Sequence, residues 1–373
     1  MSAPNTGGPE RAADLVRWLV ERAALDGSTC LGADVLAAAL RGVGVADPAP
    51  GAQLAFESGR VAAFAEERRF GHVEWAEREA QVAEALHGLL LDGGDQAVLV
   101  VDAPRGTDPE SVLTPLVSTV EHGGGRVART RPDRLVEQLP VIAEADLVVV
   151  TRADLLGLAA AGRLADSLRP DARLVLVGDP GLPPAAGPGQ VLLDVVRSGA
   201  VPVLAAPEVD EADPLALLVR SLRQGVLPSL DPAQRSVVVT PAADPEQAVR
   251  RTAQLVISSV PRVFGVQAAG TLVLAPRADG HTGAVALGAA LDEADVEVRT
   301  CAEAAGRPAE VIVLVLGAEA GGSLTRDLVI GAATEARQHL SVVHQAGPAL
   351  AEAVATRPHR VRHTRLADLL SHP

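Results

Sequence analysis

The sequence has no lysine: all 33 of its basic residues are arginine. A glycine-rich phosphate loop uses lysine to reach the terminal phosphates of a nucleotide, and arginine is not an equivalent point charge. The ordinary form of that chemistry is therefore excluded, although an Arg-for-Lys, Ala-rich composition is also what a GC-rich genome yields. Tyrosine is absent too, and only four Phe and two Trp are present. The core must be built from Ala, Val and Leu, and platforms for stacking single-stranded bases are scarce. The two cysteines, Cys30 and Cys301, are far apart and lack metal-ligand spacing; they read as reduced thiols of a cytoplasmic protein. Positive charge is in deficit, with a net charge of −14, which argues against a protein whose main business is gripping a nucleic-acid backbone. No apolar run approaches the roughly 20 residues needed to span a bilayer. The start, MSAPNTGGPERAADL, has no basic-then-apolar signal pattern.

The 373 residues are enough for two or three domains. Residues 1–9 read as frayed, 10–25 as a helix, and a second helix starts at Gly32 or Asp34 and runs to Leu40. Residues 42–52 read as loop, Leu54–Phe56 and Val61–Phe64 as a wing-like hairpin, and Val73–Leu90 as a long helix. From Gln96 short apolar runs such as Ala97–Val101, Leu147–Val150 and Arg173–Val177 alternate with helical segments, as in a doubly wound parallel sheet. Residues 205–214 (AAPEVDEADP) form an acidic connector. A second α/β unit follows, with strands at Ser236–Thr240, Gly270–Ala275, Val311–Leu316 and Leu340–His344, and Asp244-Pro245-Glu246 opening a helix.

The segment RLVLVGDPGLPPAAGPGQVLLD (173–194) resembles the third motif of RecD-like superfamily 1 DNA helicases. PLALLVRSLRQGVLPSL, LVLAP and EVIVLVLGAEAGGSLTRDLVIGAATEARQHLSVV are similar to later parts of that family in the same order, and LVRWLVERAALDGSTCLGADVLAAAL resembles the module before its motor. The resemblance implies an α/β protein of two RecA-like (P-loop NTPase-type) parallel-sheet domains: a helical or winged module at 1–90, a first RecA-like domain at 91–225 with a degenerate P-loop, and a second at 226–373.

It also implies that the chemistry has been removed. In the loop DAPRGTDPES, Asp108 stands where the family has the phosphate-loop lysine and Pro109 where it has the Mg²⁺-binding hydroxyl. After Leu147–Val150, Asp154 is displaced and Arg152 takes the place of the catalytic glutamate. Asp179 is kept in the third motif, but Leu182 replaces the γ-phosphate-sensing glutamine. Thr300–Pro308 replaces the polar fifth motif, and Glu335 replaces the arginine finger in the run ending at Arg337. The vestigial nucleotide cleft would then comprise Asp102, Arg105, Gly106, Asp108, Arg152, Asp154, Asp179 and Arg337.

The remaining candidates read as structural. The nine histidines show no metal spacing, Ser111, Ser198 and Ser323 lack a nucleophile elbow, and Gly123–Gly125 reads as a helix C-terminus. The arginine-rich RPHRVRHTR (357–365) reads as a solvated surface tail or, alternatively, as a contact for nucleic acid or an acidic partner. The leading expectation is a catalytically inactive helicase homologue, without cofactor or metal. It would act as a scaffold or regulatory subunit with a helicase, nuclease or recombination partner in DNA processing, repair or defence, with DNA contact weak and no membrane contact. The alternatives are an atypical active helicase, which would need ATP and Mg²⁺, and a fold recruited to small-molecule chemistry through Asp102, Asp108, Asp154 or Asp179.

Overall fold

The computed structural model describes residues 8–93, 97–209, 213–228 and 235–372. Most of the expected frayed start, Gln96, the centre of the acidic connector and the 229–230 end of PLALLVRSLRQGVLPSL lie outside them. The N-terminal module contains α1 (Pro9–Leu25), β1 (Cys30–Gly32), α2 (Ala33–Gly42), α3 (Ala49–Glu57), β2 (Val61–Phe64), β3 (Arg69–His72) and the long α4 (Val73–Gly93). Its three strands form an antiparallel sheet in the order β1-β3-β2. The hairpin expected from Leu54–Phe56 and Val61–Phe64 is therefore corrected: β2 pairs with β3, and Leu54–Phe56 belongs to α3. Pro48, Pro50 and Gly51 gave that segment the look of a loop, but proline is tolerated in a helix's first turn. Gly51 is buried where α3 meets α1; a Cβ there would lie 2.3 Å from the Cβ of Ala12.

The first parallel sheet comprises β4 (Val98–Asp102), α5 (Glu110–His122), β5 (Val127–Thr130), α6 (Leu135–Ile142), β6 (Leu147–Thr151), α7 (Leu158–Ser167), β7 (Arg173–Gly178), α8 (Val191–Ser198) and β8 (Val203–Ala205). Successive strand residues serve opposite faces. Val98 and Val100 pack with α4, α6, α7 and α8 on one side, while Leu99 and Val101 pack beneath α5 on the other. The strand order β5-β6-β7-β4-β8 sets the sheet's first strand between its fourth and fifth. The direction of winding thus reverses beside β4, and the carboxyl ends of β4 and β7 open on a crevice there.

Next comes α9 (Pro214–Arg223), capped by Asp213, whose side chain accepts from Leu215 N. The second sheet comprises β9 (Val237–Pro241), α10 (Pro245–Gln254), α11 (Val260–Phe264), β10 (Thr271–Ala275), α12 (Ala284–Ala290), β11 (Glu297–Thr300), β12 (Ala309–Leu316), α13 (Arg326–Glu335) and β13 (Ala336–His344), followed by α14 (Pro348–Thr356) and α15 (Leu366–Ser371). Its order is β11-β10-β12-β13-β9, parallel throughout. Asp244 caps α10 as the sequence indicates, accepting from Gln247 N at 2.7 Å. The expectation of two RecA-like parallel-sheet domains plus a small module holds for the architecture.

Two boundaries shift. α9 lies within the range expected for the first domain, but Leu215, Leu218, Val219 and Leu222 form one apolar stripe buried with β12, β13 and α13 of the second. α15 lies within the range expected for the second domain, but Leu366 and Leu370 join the core of the first, against α4 and α8. The 357–365 segment is accordingly a strap between domains, which corrects the expectation of a solvated surface tail. Its Arg362 donates to the carbonyls of Ala185, Gly187 and Gly189 at 2.9, 3.0 and 2.6 Å. Arg365 forks onto Glu67 and covers the Phe64 ring at 3.4 Å. The strap carbonyl of His363 accepts from Thr29 N at 2.8 Å.

Candidate functional site

The crevice at the ends of β4 and β7 faces the C-terminal end of α13, so both sheet domains contribute to its walls. The β4–α5 loop spends many of its own polar groups internally. Ala103 N donates to Gly178 O, Thr107 N to Pro104 O, and Asp108 N to Pro207 O at 3.0, 3.3 and 2.9 Å. Glu110 N donates to Asp108 Oδ1 at 3.0 Å, and Pro104 and Pro109 have no N–H to give. A phosphate cradle needs such N–H groups free and convergent. Gly106 turns this loop with φ +86°, and its carbonyl accepts from Val209 N at 3.0 Å, tying the loop to the connector.

Three arginines then bridge the domains. Arg105 donates to Asp213 at 2.7 Å and to the carbonyls of Ala333, Thr334 and Ala336. It thereby satisfies carbonyls at the C-terminal end of α13, where cations are favoured. Arg223, at the end of α9, joins two first-domain carboxylates: it reaches Asp102 at 2.5 Å and also pairs with Asp179. Burial pushes the Asp179 carboxyl up to about 6 against the opposing pull of Arg223. Oδ1 of Asp102 and Oδ2 of Asp179 are buried without a hydrogen-bond partner among the described residues.

The third bridge is Arg152. It adopts a left-handed backbone (φ 54°), a conformation that costs a non-glycine residue about 1–2 kcal/mol. Its guanidinium is fixed on both sides, 2.9 Å from Asp154 and 2.7 Å from Glu335. Those carboxylates hold the guanidinium above its usual value despite burial. Glu335 also accepts from Gly306 N at 3.2 Å. Arg152 and Glu335, which the sequence presented as two separate departures, therefore meet each other across the cleft.

Leu182 packs into the core of the second domain. Beside it Pro183 lies so close to α13 that a Cβ on Gly331 would be 3.2 Å from its ring. What remains between Arg152, Leu182, Ala304, Gly331 and Glu335 is a cavity of about 30 Å³. That holds a water or two, whereas small-molecule sites run to about 300 Å³ or more.

Of the eight residues expected in the cleft, Asp102, Arg105, Gly106, Arg152, Asp154 and Asp179 line the crevice or its loop. Asp108 does not join the acids, because it turns to the first N–H of α5. Arg337 lies outside: its side chain is exposed and pairs with Glu310 at 3.0 Å. Sequence reasoning missed Arg223 and Asp213. Arg223 is the polar residue flanking the apolar stripe of α9, and that placement is the signal that could have exposed it. Burial pushes the thiol of Cys301, beside the cavity, up to about 12, which disfavours the thiolate. Among the described residues no His, Cys, Asp and Glu side chains group as a metal site, and no helix is long and apolar enough to cross a membrane.

Fold and site together define a two-domain protein of RecA-like sheet order whose interdomain crevice is filled by its own ion pairs. No protein-family model and no curated protein matches the chain. Among solved structures it is similar to "Complex structure of Arterivirus nonstructural protein 10 (helicase) with DNA", at 13% identity over 76% of this chain and 66% of that one, with a TM-score of 0.35. It is also similar to "The structure of PRRSV helicase", at 12% identity over 72% and 56% of the two chains, with a TM-score of 0.41. The chain thus spans less than two thirds of the length of either helicase.

Proposed function

We propose that this chain is a helicase-like protein that does not turn over ATP. It holds its two sheet domains in one arrangement and serves as a scaffold or regulatory subunit of a nucleic-acid-processing assembly. The observation that carries this reading is the Arg152–Glu335 pair across the cleft. A nucleotide motor needs an anion-attracting cleft that opens and closes with its ligand, and its catalytic power comes from cations aimed at phosphate. Here Glu335 faces the cleft in the place of such a cation, and Arg105, Arg152 and Arg223 are spent on internal carboxylates and carbonyls. The RecD-like order of segments supports a helicase ancestry, and the net charge of −14 favours a protein partner over a nucleic-acid backbone.

The test is ATP hydrolysis by the purified chain with Mg²⁺ and single-stranded DNA, alongside recovery of partners from native cells with and without nuclease. No turnover, and a nuclease-resistant helicase, nuclease or recombination subunit, are the expected results. DNA-stimulated hydrolysis that disappears when the Asp102–Ser111 loop is altered would refute the reading. A second reading, small-molecule chemistry in the old cleft, draws support from Asp179, raised by burial and close enough to feel Asp102 and Asp154. Against it, Arg223 and Arg152 occupy those carboxylates.

A further inference from the structure

Where the strap leaves α14 and passes α8, it closes a second cavity, of about 300 Å³. This is ten times the space left in the crevice. Its wall is built from three parts of the molecule: Arg197 at the end of α8, the turn before α13 with Thr325, and the strap itself with Arg357, His359, Arg360 and Arg362. None of its lining residues is an acid, in a chain with 47 Asp and Glu against 33 Arg.

The cations differ in how far they are committed. Arg362 is consumed by loop carbonyls. Arg360 reaches Asp26 at 3.0 Å, Arg357 donates to Gly321 O at 3.2 Å, and His359 meets Asp327 at 3.2 Å. Arg197 is exposed and has no hydrogen bond or ion pair among the described residues. Burial pushes the Arg362 guanidinium below its usual value against the opposing pull of Asp327, with the neighbouring Arg360 adding a smaller push in the same direction. Four arginines and a histidine thus gather on one wall, and the carboxylates that partly offset them, Asp26, Asp194 and Asp327, do not line the cavity.

We propose that this cavity binds a small phosphate-bearing anion, of phosphomonoester or pyrophosphate size. Guanidinium forks match phosphate oxygens in pairs, and their attraction strengthens in a partly enclosed site. The first two N–H groups of α13 are already taken by Arg357 O and Pro358 O at 2.8 and 3.0 Å, so recognition falls to side chains. A polynucleotide fits less well: no Phe, Tyr or Trp lines the wall to stack a base, and three elements enclose the space. An anion held there joins α8 of the first domain to the strap leaving the second. This inference is independent of whether the crevice turns over ATP.

The test is titration calorimetry and thermal unfolding of the full chain with inorganic phosphate, pyrophosphate and a sugar phosphate, against sodium chloride at equal ionic strength. At least one phosphate compound should bind and raise Tm with concentration. Arg197→Ala should weaken binding about tenfold or more, the loss of a charge-assisted contact, and Arg197→Glu should abolish it. Both variants should fold, because Arg197 is exposed. Arg173→Ala, which removes an exposed arginine that does not line this cavity, should change nothing. Equal binding by wild type and Arg197→Ala would overturn the assignment, as would binding of an oligonucleotide with none of the small phosphates.

Discussion

Replacing Arg152 by alanine probes the cleft bridge most directly. The side chains of Asp154 and Glu335 are 2% and 9% exposed, so the change strands two buried carboxylates without their cation. Removing one partner of a buried ion pair costs about 3–5 kcal/mol; Arg152 is itself 27% exposed, which places the expected loss near about 3 kcal/mol. The backbone contributes no difference, because alanine meets the same left-handed strain as arginine. Glu335→Ala leaves a cation still paired with Asp154 and should cost about 2 kcal/mol. The double variant should fall short of the sum by about 1–3 kcal/mol, the coupling of residues in contact. Urea unfolding followed by the fluorescence of Trp75, which packs on the first core, measures all three. The triple change Arg152→Met, Asp154→Leu and Glu335→Leu should recover most of the loss, since apolar replacement of a whole buried ion cluster is commonly neutral or better. A coupling below about 0.5 kcal/mol would refute the bridge, because it is the value expected of residues that do not touch.

Burial raises the carboxyls of Asp179 and Asp194 to about 6 and that of Glu79 to about 7. The folded state therefore holds more protons than the unfolded chain between about pH 4 and pH 7, and these groups lose stability as pH rises through that window. Tm should be higher at pH 5.5 than at pH 7.5, and Glu79→Gln should remove part of the slope and raise Tm at pH 8; a Tm that climbs steadily with pH would refute this. Gly51→Ala gains about 1 kcal/mol of helix propensity but forces α1 and α3 apart, for a net loss of about 1–2 kcal/mol in chemical denaturation; a stabilised variant would mean the helices are not in contact. Leu370→Ala should cost about 2–4 kcal/mol and speed proteolysis around α4 and α8; an unchanged cleavage pattern would show that α15 does not close the first core.

Much of the architecture is legible because parallel strands buried on both faces announce themselves as runs such as Leu147–Val150, and because Asp244-Pro245 is a local cap signal. The failures share a different cause. Glu297–Thr300 reads as polar but forms the edge strand β11, paired on one side only with β10, where alternate residues face water. α3 was hidden behind prolines that its first turn accommodates. In the sequence Arg152 and Glu335 read as two separate losses. That they meet each other is a fact of distance, 183 positions apart in the chain, and no periodicity carries it. Arg223 and the strap were hidden for the same reason: a basic residue looks solvated until its distant partner is in place.

The strap also bears on how the chain is made. Thr29 and the strap carbonyl of His363 that it meets are 334 residues apart. At about 5–20 residues per second, a ribosome delivers the second roughly 20–70 s after the first. Through that interval the sites for Leu366 and Leu370 stand open on α4 and α8, and Glu79 lacks the Arg365 N–H that meets it at 3.0 Å in the finished fold. The nascent polypeptide is consequently a long-lived holder of unsealed apolar surface, and chaperone engagement during translation should matter more for it than for a protein whose domains close in the order they emerge.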